Sequence, residues 1–286
     1  MKNKPTEYPG IRHEHMNLVS GIMQELSETS LLASWDRVFE AQTRILGPQE
    51  LKWLETKGAF AGGVMEVGSG NGCYGSFLAR NVPYCHFFGL EANQSLVNRF
   101  NLCDEQHPIN YNIEKCIVGI DPIPKAILGH VQTCILRFVL QHSSDPVYIL
   151  KQVCNILPPG AQIYIIEEDD RLFASNTEWS SYDATIDMWR RVCAEGGTNS
   201  KIGLELPGIL NKAGFSIEDY TINLRNNIEM GSMFVELFSS IALMMYNTNP
   251  GVITKVELQK IIDGFSANQM HHVATYPQIL LVAKKM

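Results

Sequence analysis

Apolar residues recur along this chain with two periods, and the two alternate. Leu31, Trp35, Val38, Phe39, Gln42 and Ile45 trace one face at helical spacing, inside a stretch from Leu18 to Leu54 that reads as helices. Gly47-Pro48 is expected to stop that helix, and Gly58 to Gly63 breaks the chain into a first strand, VMEVG. A helix over 74–80 follows, then the strand CHFFGLE ending at Glu91, a helix over 94–101 and a weak strand from Glu114 to Ile120. The strand VQTCILRF (131–138), a helix over 145–156, the turn Leu157-Pro158-Pro159-Gly160 and the strand QIYIIEE (162–168) complete the series. Alternation of this kind predicts an α/β fold, a doubly wound parallel sheet with helices on both faces.

Past residue 170 the rhythm changes. A helix over 178–194 meets the Gly196-Gly197 break, a helix over 203–213 is closed by Gly214, and FSIEDYTINL (215–224) reads as a sixth strand. Residues 228–246 and 254–264 are apolar and helical before a closing strand, QILLVAK (278–284). The block between the last two strands is too long for a hairpin. It reads as a lid over a crevice or as a dimerisation element, so a homodimer is one expectation. The expected organisation is an N-terminal helical cap over 1–57 and a core over 58–286 that carries a helical insertion at 226–272.

With 286 residues the chain can bury a large core. Its net charge of −7, with no basic cluster longer than the pair Lys284-Lys285, argues against a nucleic-acid surface. No apolar run approaches the roughly 20 residues of a membrane span, and MKNKPTEYPGIRHEH lacks the apolar segment of a secretory signal. The seven cysteines include no C-x-x-C. A cytoplasmic protein is expected.

The chemistry concentrates in VMEVGSGNG, Val64 to Gly72. Val64 and Val67 suit a buried strand. Gly68, Gly70 and Gly72 allow a tight loop whose bare backbone a ligand can approach, ahead of a helix that points its N-terminal amides at it. Gly70, Gly72 and Gly75 also spell the dinucleotide fingerprint G-x-G-x-x-G, which alone is weak. Two details decide against a pyrophosphate. Glu66 within the strand would repel phosphate but suits an amino or sulfonium cation. The strand also runs into Gly68 and Ser69 where a dinucleotide strand would already have ended.

In a doubly wound sheet the ligand lies at the carboxyl ends of the strands. Glu91 ends the second strand, where a carboxylate can accept from both ribose hydroxyls. An acceptor for the adenine edge is expected past the third strand at Gly119-Ile120-Asp121. His142, Glu168, Asp169 and Asp170, past the fourth and fifth strands, are the candidate bases or substrate-orienting groups. The run from Glu167 to Asp170 reads as a solvated loop or as a grip on a cationic acceptor or divalent metal. His13, His15, His271 and His272 have no spaced partner, so no metal site is assigned. Tyr8, Trp35 and Tyr182 suit either a pocket wall or the core.

Together Glu66-Val67-Gly68-Ser69-Gly70-Asn71-Gly72, Glu91, LRFVLQHSSDP (136–146) and LPPGAQIYIIEEDD (157–170) make the chain resemble class I S-adenosylmethionine-dependent methyltransferases. More narrowly it resembles a small-molecule branch that includes quinone-biosynthesis enzymes. KIGLELPGILNKAGF (201–215) is similar to that group's helix before the sixth strand, and QILLVAK to its antiparallel seventh strand. The resemblance implies a seven-stranded Rossmann-like sheet and methyl transfer from S-adenosylmethionine to an O, N or C atom of a small molecule. It implies that Glu66 holds the methionine amino end and that Gly68 and Gly70 pass beneath the nucleoside, while Ser69, Asn71, Glu91, Ala92, Ile120 and Asp121 are further cofactor-binding candidates. The acidic residue usual near the third strand of that group is not clearly in place. Backbone at Leu136 and Arg137 is implied to contact the methionine part. Pro159-Gly160-Ala161 departs from the double glycine common in that group. The competing readings are an NAD(P)-dependent oxidoreductase and a non-catalytic member of the same fold that binds cofactor or a partner protein.

Overall fold

The computed structural model describes residues 31–102, 107–124, 127, 129–176, 178–268 and 272–286. Tyr8, His13, His15, His271 and the helical stretch expected from Leu18 lie outside them. The chain divides into two compact units, one of residues 42–172, 193–224 and 277–286, the other including residues 31–41, 173–192 and 225–276.

The larger unit carries the sheet. Its strands are β1 (Gly63–Val67), β2 (Phe87–Glu91), β3 (Tyr111–Lys115), β4 (Val131–Arg137), β5 (Gln162–Glu167), β6 (Phe215–Asn226) and β7 (Thr275–Lys285). They lie in the order β3-β2-β1-β4-β5-β7-β6, with β1 parallel to β2 and β4, and β7 antiparallel to β5. The doubly wound sheet with an antiparallel last strand is therefore present. Two apolar layers cover its faces, one around Leu136, Leu150 and Ile163, the other around Val64, Leu78 and Ile166.

The helices follow from local chemistry. In α4 (Pro146–Ile156), Asp145 caps the first turn by accepting from the Tyr148 amide at 2.9 Å, and Pro146 occupies a position where no N–H is needed. Gly214 ends α6 (Leu206–Ala213) in the left-handed conformation, φ 94°. Helices α2 (Cys73–Asn81) and α3 (Gln94–Leu102) complete the crossovers at the β1 and β2 ends.

Two expectations are corrected. Gly47-Pro48 does not stop the first helix: α1 runs from Leu31 to Thr56 with Pro48 inside it. An interior proline costs about 3 kcal/mol. Here Ile45, Leu46, Glu50 and Leu54 are all buried around it, and tertiary packing overrides the local signal. The third strand lies earlier than Glu114–Ile120, at Tyr111–Lys115. Past it the chain turns, because the Ile120 and Asp121 amides both donate to the Ile117 carbonyl at 2.9 Å.

The second unit is helical: α5 (Ser180–Gly196), α7 (Asn227–Met230), α8 (Ser232–Thr248) and α9 (Lys255–Asn268). Its centre is aromatic. Trp179 stacks on Phe234 and His272, and Tyr182 on Phe234. The Tyr182 hydroxyl donates to the Thr275 carbonyl at 2.8 Å, so this residue serves the core. Trp35 packs on Phe39, with ring centroids 5.6 Å apart.

Candidate functional site

The loop after β1 is pinned to the end of β2. The Gly68 and Ser69 amides donate to the Leu90 carbonyl at 2.8 and 3.2 Å, and the Gly72 amide returns to Ser69 at 2.9 Å. At Gly72, φ is +78° and a Cβ would fall 2.4 Å from the Phe100 ring and 2.6 Å from Ile113. Glycine is required there by both backbone and packing. A Cβ on Gly75 would fall 2.2 Å from the Tyr111 ring. That closeness is helix-on-sheet packing, which either nucleotide frame would need, so the neighbouring carboxylates must discriminate between them.

Glu66 and Glu91 stand at adjacent strand ends. Glu66 is buried, and its Oε2 accepts from the Tyr111 hydroxyl at 2.7 Å. Burial pushes its carboxyl up to about 7, opposed by the Tyr111 hydrogen bond and the charge of Arg137, and assisted by the charge of Glu91. A cation brought against Glu66 would favour its ionised form, whereas a phosphate would not. Glu91 turns one oxygen to the Gly70 amide at 2.7 Å and the other to the Asn93 amide at 2.8 Å. The ribose-reading candidate therefore also holds the glycine loop, a link that sequence spacing does not show. Two carboxylates at neighbouring strand ends suit a cationic ligand and oppose a pyrophosphate, the more so because the Gly68, Ser69, Gly70 and Gly72 amides already have acceptors within the fold.

Around them, Ser69 is buried, Asn71 caps the Cys73 amide at 3.1 Å, and Ala92 is exposed. Ile120 is exposed, but Asp121 is engaged: its Oδ2 accepts from Lys115 Nζ at 2.7 Å and the Ile117 amide at 2.8 Å. The lysine hydrogen bond, with help from that amide, holds the Asp121 carboxyl below its ordinary range.

Arg137, at the end of β4, directs its side chain away from the role its backbone suggests. Its Nε lies 2.8 Å from Glu50 Oε2 of α1, with side-chain exposures of 7% and 1%. Gln278 of β7 donates to the other Glu50 oxygen at 2.7 Å, and the guanidinium lies 4.3 Å above the Tyr74 ring. Next to it Phe138 adopts φ +55°, a left-handed conformation uncommon for a bulky residue, at the strand end where ligands bind in such folds. Sequence reasoning missed Glu50, Tyr74 and Gln278.

The acidic run at the end of β5 does not face outward as a unit. Glu167 is fully buried and accepts from the Leu140 amide at 2.7 Å, and burial pushes its carboxyl up to about 8. Asp169 is also fully buried. Its two oxygens each take a 2.7 Å hydrogen bond from Arg171, and Oδ2 takes another from the Leu204 amide at 2.9 Å. These bonds tie Asp169, one of the expected base or orienting groups, to Arg171 and to the Leu204 amide. Asp170 accepts from Ser200 Oγ at 3.0 Å, while Glu168 is half-buried. His142 ends the short turn Leu140–His142. The residue is exposed at that turn, and desolvation by the surrounding protein lowers its imidazole from the ordinary range. Among the described residues no group of three or more His, Cys, Asp or Glu could hold a metal ion. No helix among them is long and apolar enough to cross a membrane.

Scanned against models of protein families and against curated protein sequences, the chain matches none. Solved structures do match. A candidate sarcosine dimethylglycine methyltransferase from Galdieria sulphuraria aligns with TM-score 0.53 at 11% identity, over 83% of this chain and 86% of that one. The [4+2]-cyclase SpnF aligns with TM-score 0.51 at 14% identity, over 95% and 94%. The geranyl diphosphate C-methyltransferase from Streptomyces coelicolor A3(2), in complex with Mg2+, geranyl diphosphate and S-adenosyl-L-homocysteine, aligns with TM-score 0.50 at 10% identity, over 84% and 80%. The fold shared with these solved structures is a Rossmann-like seven-stranded sheet whose last strand runs antiparallel. These likenesses do not single out a quinone-biosynthesis branch.

Proposed function

We propose that this protein binds S-adenosylmethionine and transfers its methyl group to an O, N or C atom of a small-molecule acceptor. The carrying observation is the pair of carboxylates at the ends of β1 and β2, with Glu91 hydrogen-bonded to Gly70 of the intervening loop. Glu66 would take the amino group of the methionine end, and Glu91 the ribose hydroxyls. Gly68, Ser69, Gly70 and Asn71 would lie beneath the nucleoside, with Ala92, Ile120 and Asp121 toward the adenine and backbone at Arg137 toward the methionine part. The cofactor supplies an activated sulfonium methyl, so the chain's own task is alignment and exclusion of water.

For an acceptor that loses a proton, His142 and Glu168 are the groups we assign as base or orienting residue. Desolvation lowers the His142 imidazole from its ordinary range, which favours the neutral form that can accept a proton.

Calorimetry with S-adenosylhomocysteine tests the binding reading, which fails if neither heat nor thermal shift appears at high micromolar ligand. Turnover of labelled methyl donor against phenols, amines, carboxylates and prenyl diphosphates separates an enzyme from a non-catalytic binder. That second arm matters because one similar structure bears the name of a cyclase. Quenching or enhancement of NAD(P)H fluorescence would favour the oxidoreductase reading instead.

A further inference from the structure

Tyr111 reaches Glu66 by crossing an entire strand. It belongs to β3, Glu66 to β1, and β2 runs between them with Gly89 opposite both Glu66 and Ile113. The phenol passes through the space that a side chain at Gly89 would fill: a Cβ there would lie 2.8 Å from the Tyr111 hydroxyl. From the helix side, a Cβ on Gly75 would lie 2.3 Å from the same hydroxyl and 2.4 Å from Glu66 Oε2. Two glycines on two elements thus clear one path. Tyr111 is buried at 2% exposure, and Phe100 meets its ring edge-on at 5.3 Å, so the ring is held in that path.

We infer that Tyr111 is a positioning residue for the cofactor site, fixing one oxygen of the Glu66 carboxylate so that the other is presented to the ammonium group of the cofactor's amino-acid end. The inference rests on the S-adenosylmethionine reading above. A carboxylate free to rotate would lose orientation entropy on taking up an ammonium group, and a 2.7 Å hydrogen bond from an immobile phenol removes that freedom beforehand. The same bond favours the charged form of Glu66 against its burial. The other groups bearing on Glu66 are Arg137 on β4, Glu91 on β2 and the phenol of Tyr74 on α2, and Arg137 is itself paired with Glu50.

The test compares two probes on the intact protein by calorimetry: S-adenosylhomocysteine, which carries the α-amino acid, and 5′-methylthioadenosine, which lacks it. Tyr111→Phe is expected to weaken S-adenosylhomocysteine roughly tenfold, the scale of one hydrogen bond, and to leave methylthioadenosine within about twofold. The pH midpoint for S-adenosylhomocysteine binding should move upward, because the substitution removes an interaction that favours ionised Glu66. In the Glu66→Gln background, Tyr111→Phe should add no such selective loss, which keeps the test valid if the single variant is less stable. Equal weakening of both probes, or an unmoved pH midpoint, overturns the inference while leaving the cofactor reading intact. Failure of the wild-type protein to bind S-adenosylhomocysteine would overturn both.

Discussion

Glu50 of α1 and Arg137 of β4 are joined at 2.8 Å across 87 residues of sequence, with almost no water contact on either side chain. A buried ion pair is weak evidence for net stability, because desolvation offsets much of the attraction. Removing one partner is far worse than removing both. Glu50→Ala is therefore expected to cost about 3–5 kcal/mol in urea unfolding. The double replacement Glu50→Leu with Arg137→Met should recover most of that loss. Equal midpoints for wild type and Glu50→Ala would show that the pair carries no such energy.

Glu91 has two tasks, so its loss should register twice. Glu91→Ala is expected to weaken S-adenosylhomocysteine by roughly 10- to 100-fold, one or two charge-assisted hydrogen bonds. It should also speed exchange of the Gly70 amide proton, since that N–H donates to the Glu91 carboxylate. Glu66→Ala should match the affinity loss without the exchange effect. Unchanged affinity in both variants would remove the site assignment.

Two glycines with the same φ of +78° separate backbone strain from packing. Gly58→Ala meets nothing within 4 Å and should cost only about 1 kcal/mol, the left-handed penalty. Gly72→Ala drives a methyl into Phe100 and Ile113 and should cost about 1–3 kcal/mol more, read as the difference between two urea midpoints.

Glu167 sets a pH dependence whose sign is opposite to that of a salt-bridged acid. Its carboxyl is pushed from the ordinary 4.5 up to about 8, so between those values the folded protein holds a proton the unfolded chain has lost. Its contribution to stability is therefore present below pH 4.5 and lost as pH rises toward 8. Glu167→Gln should flatten that part of the profile and raise stability at pH 8 relative to wild type. A slope unchanged by the substitution would assign the dependence to other groups.

What the sequence made legible was local. β1, β2, β4, β5 and the carboxylates at the first two strand ends follow from alternation and from glycines at fixed offsets. What escaped depends on partners far along the chain. Pro48 reads as a stop because its penalty is local, whereas the burial of Ile45, Leu46 and Glu50 that overrides it is tertiary. Asp169 reads as a crevice carboxylate until Arg171 and Leu204 are seen to occupy it. Tyr111 carries no motif, because its importance lies in an absence of side chains at Gly75 and Gly89.

The position of β7 has a consequence for how the chain comes to be folded on a ribosome. β6 leaves the exit tunnel about fifty residues ahead of β7, its neighbour in the sheet, and β5 waits longer still. Until β7 arrives, both face solvent with unpaired edges, and the Glu50 carboxylate lacks Gln278, a partner 228 residues downstream. The interval between synthesis of β6 and of β7 is thus the nascent chain's most aggregation-exposed period, and the one in which a chaperone would have most to protect.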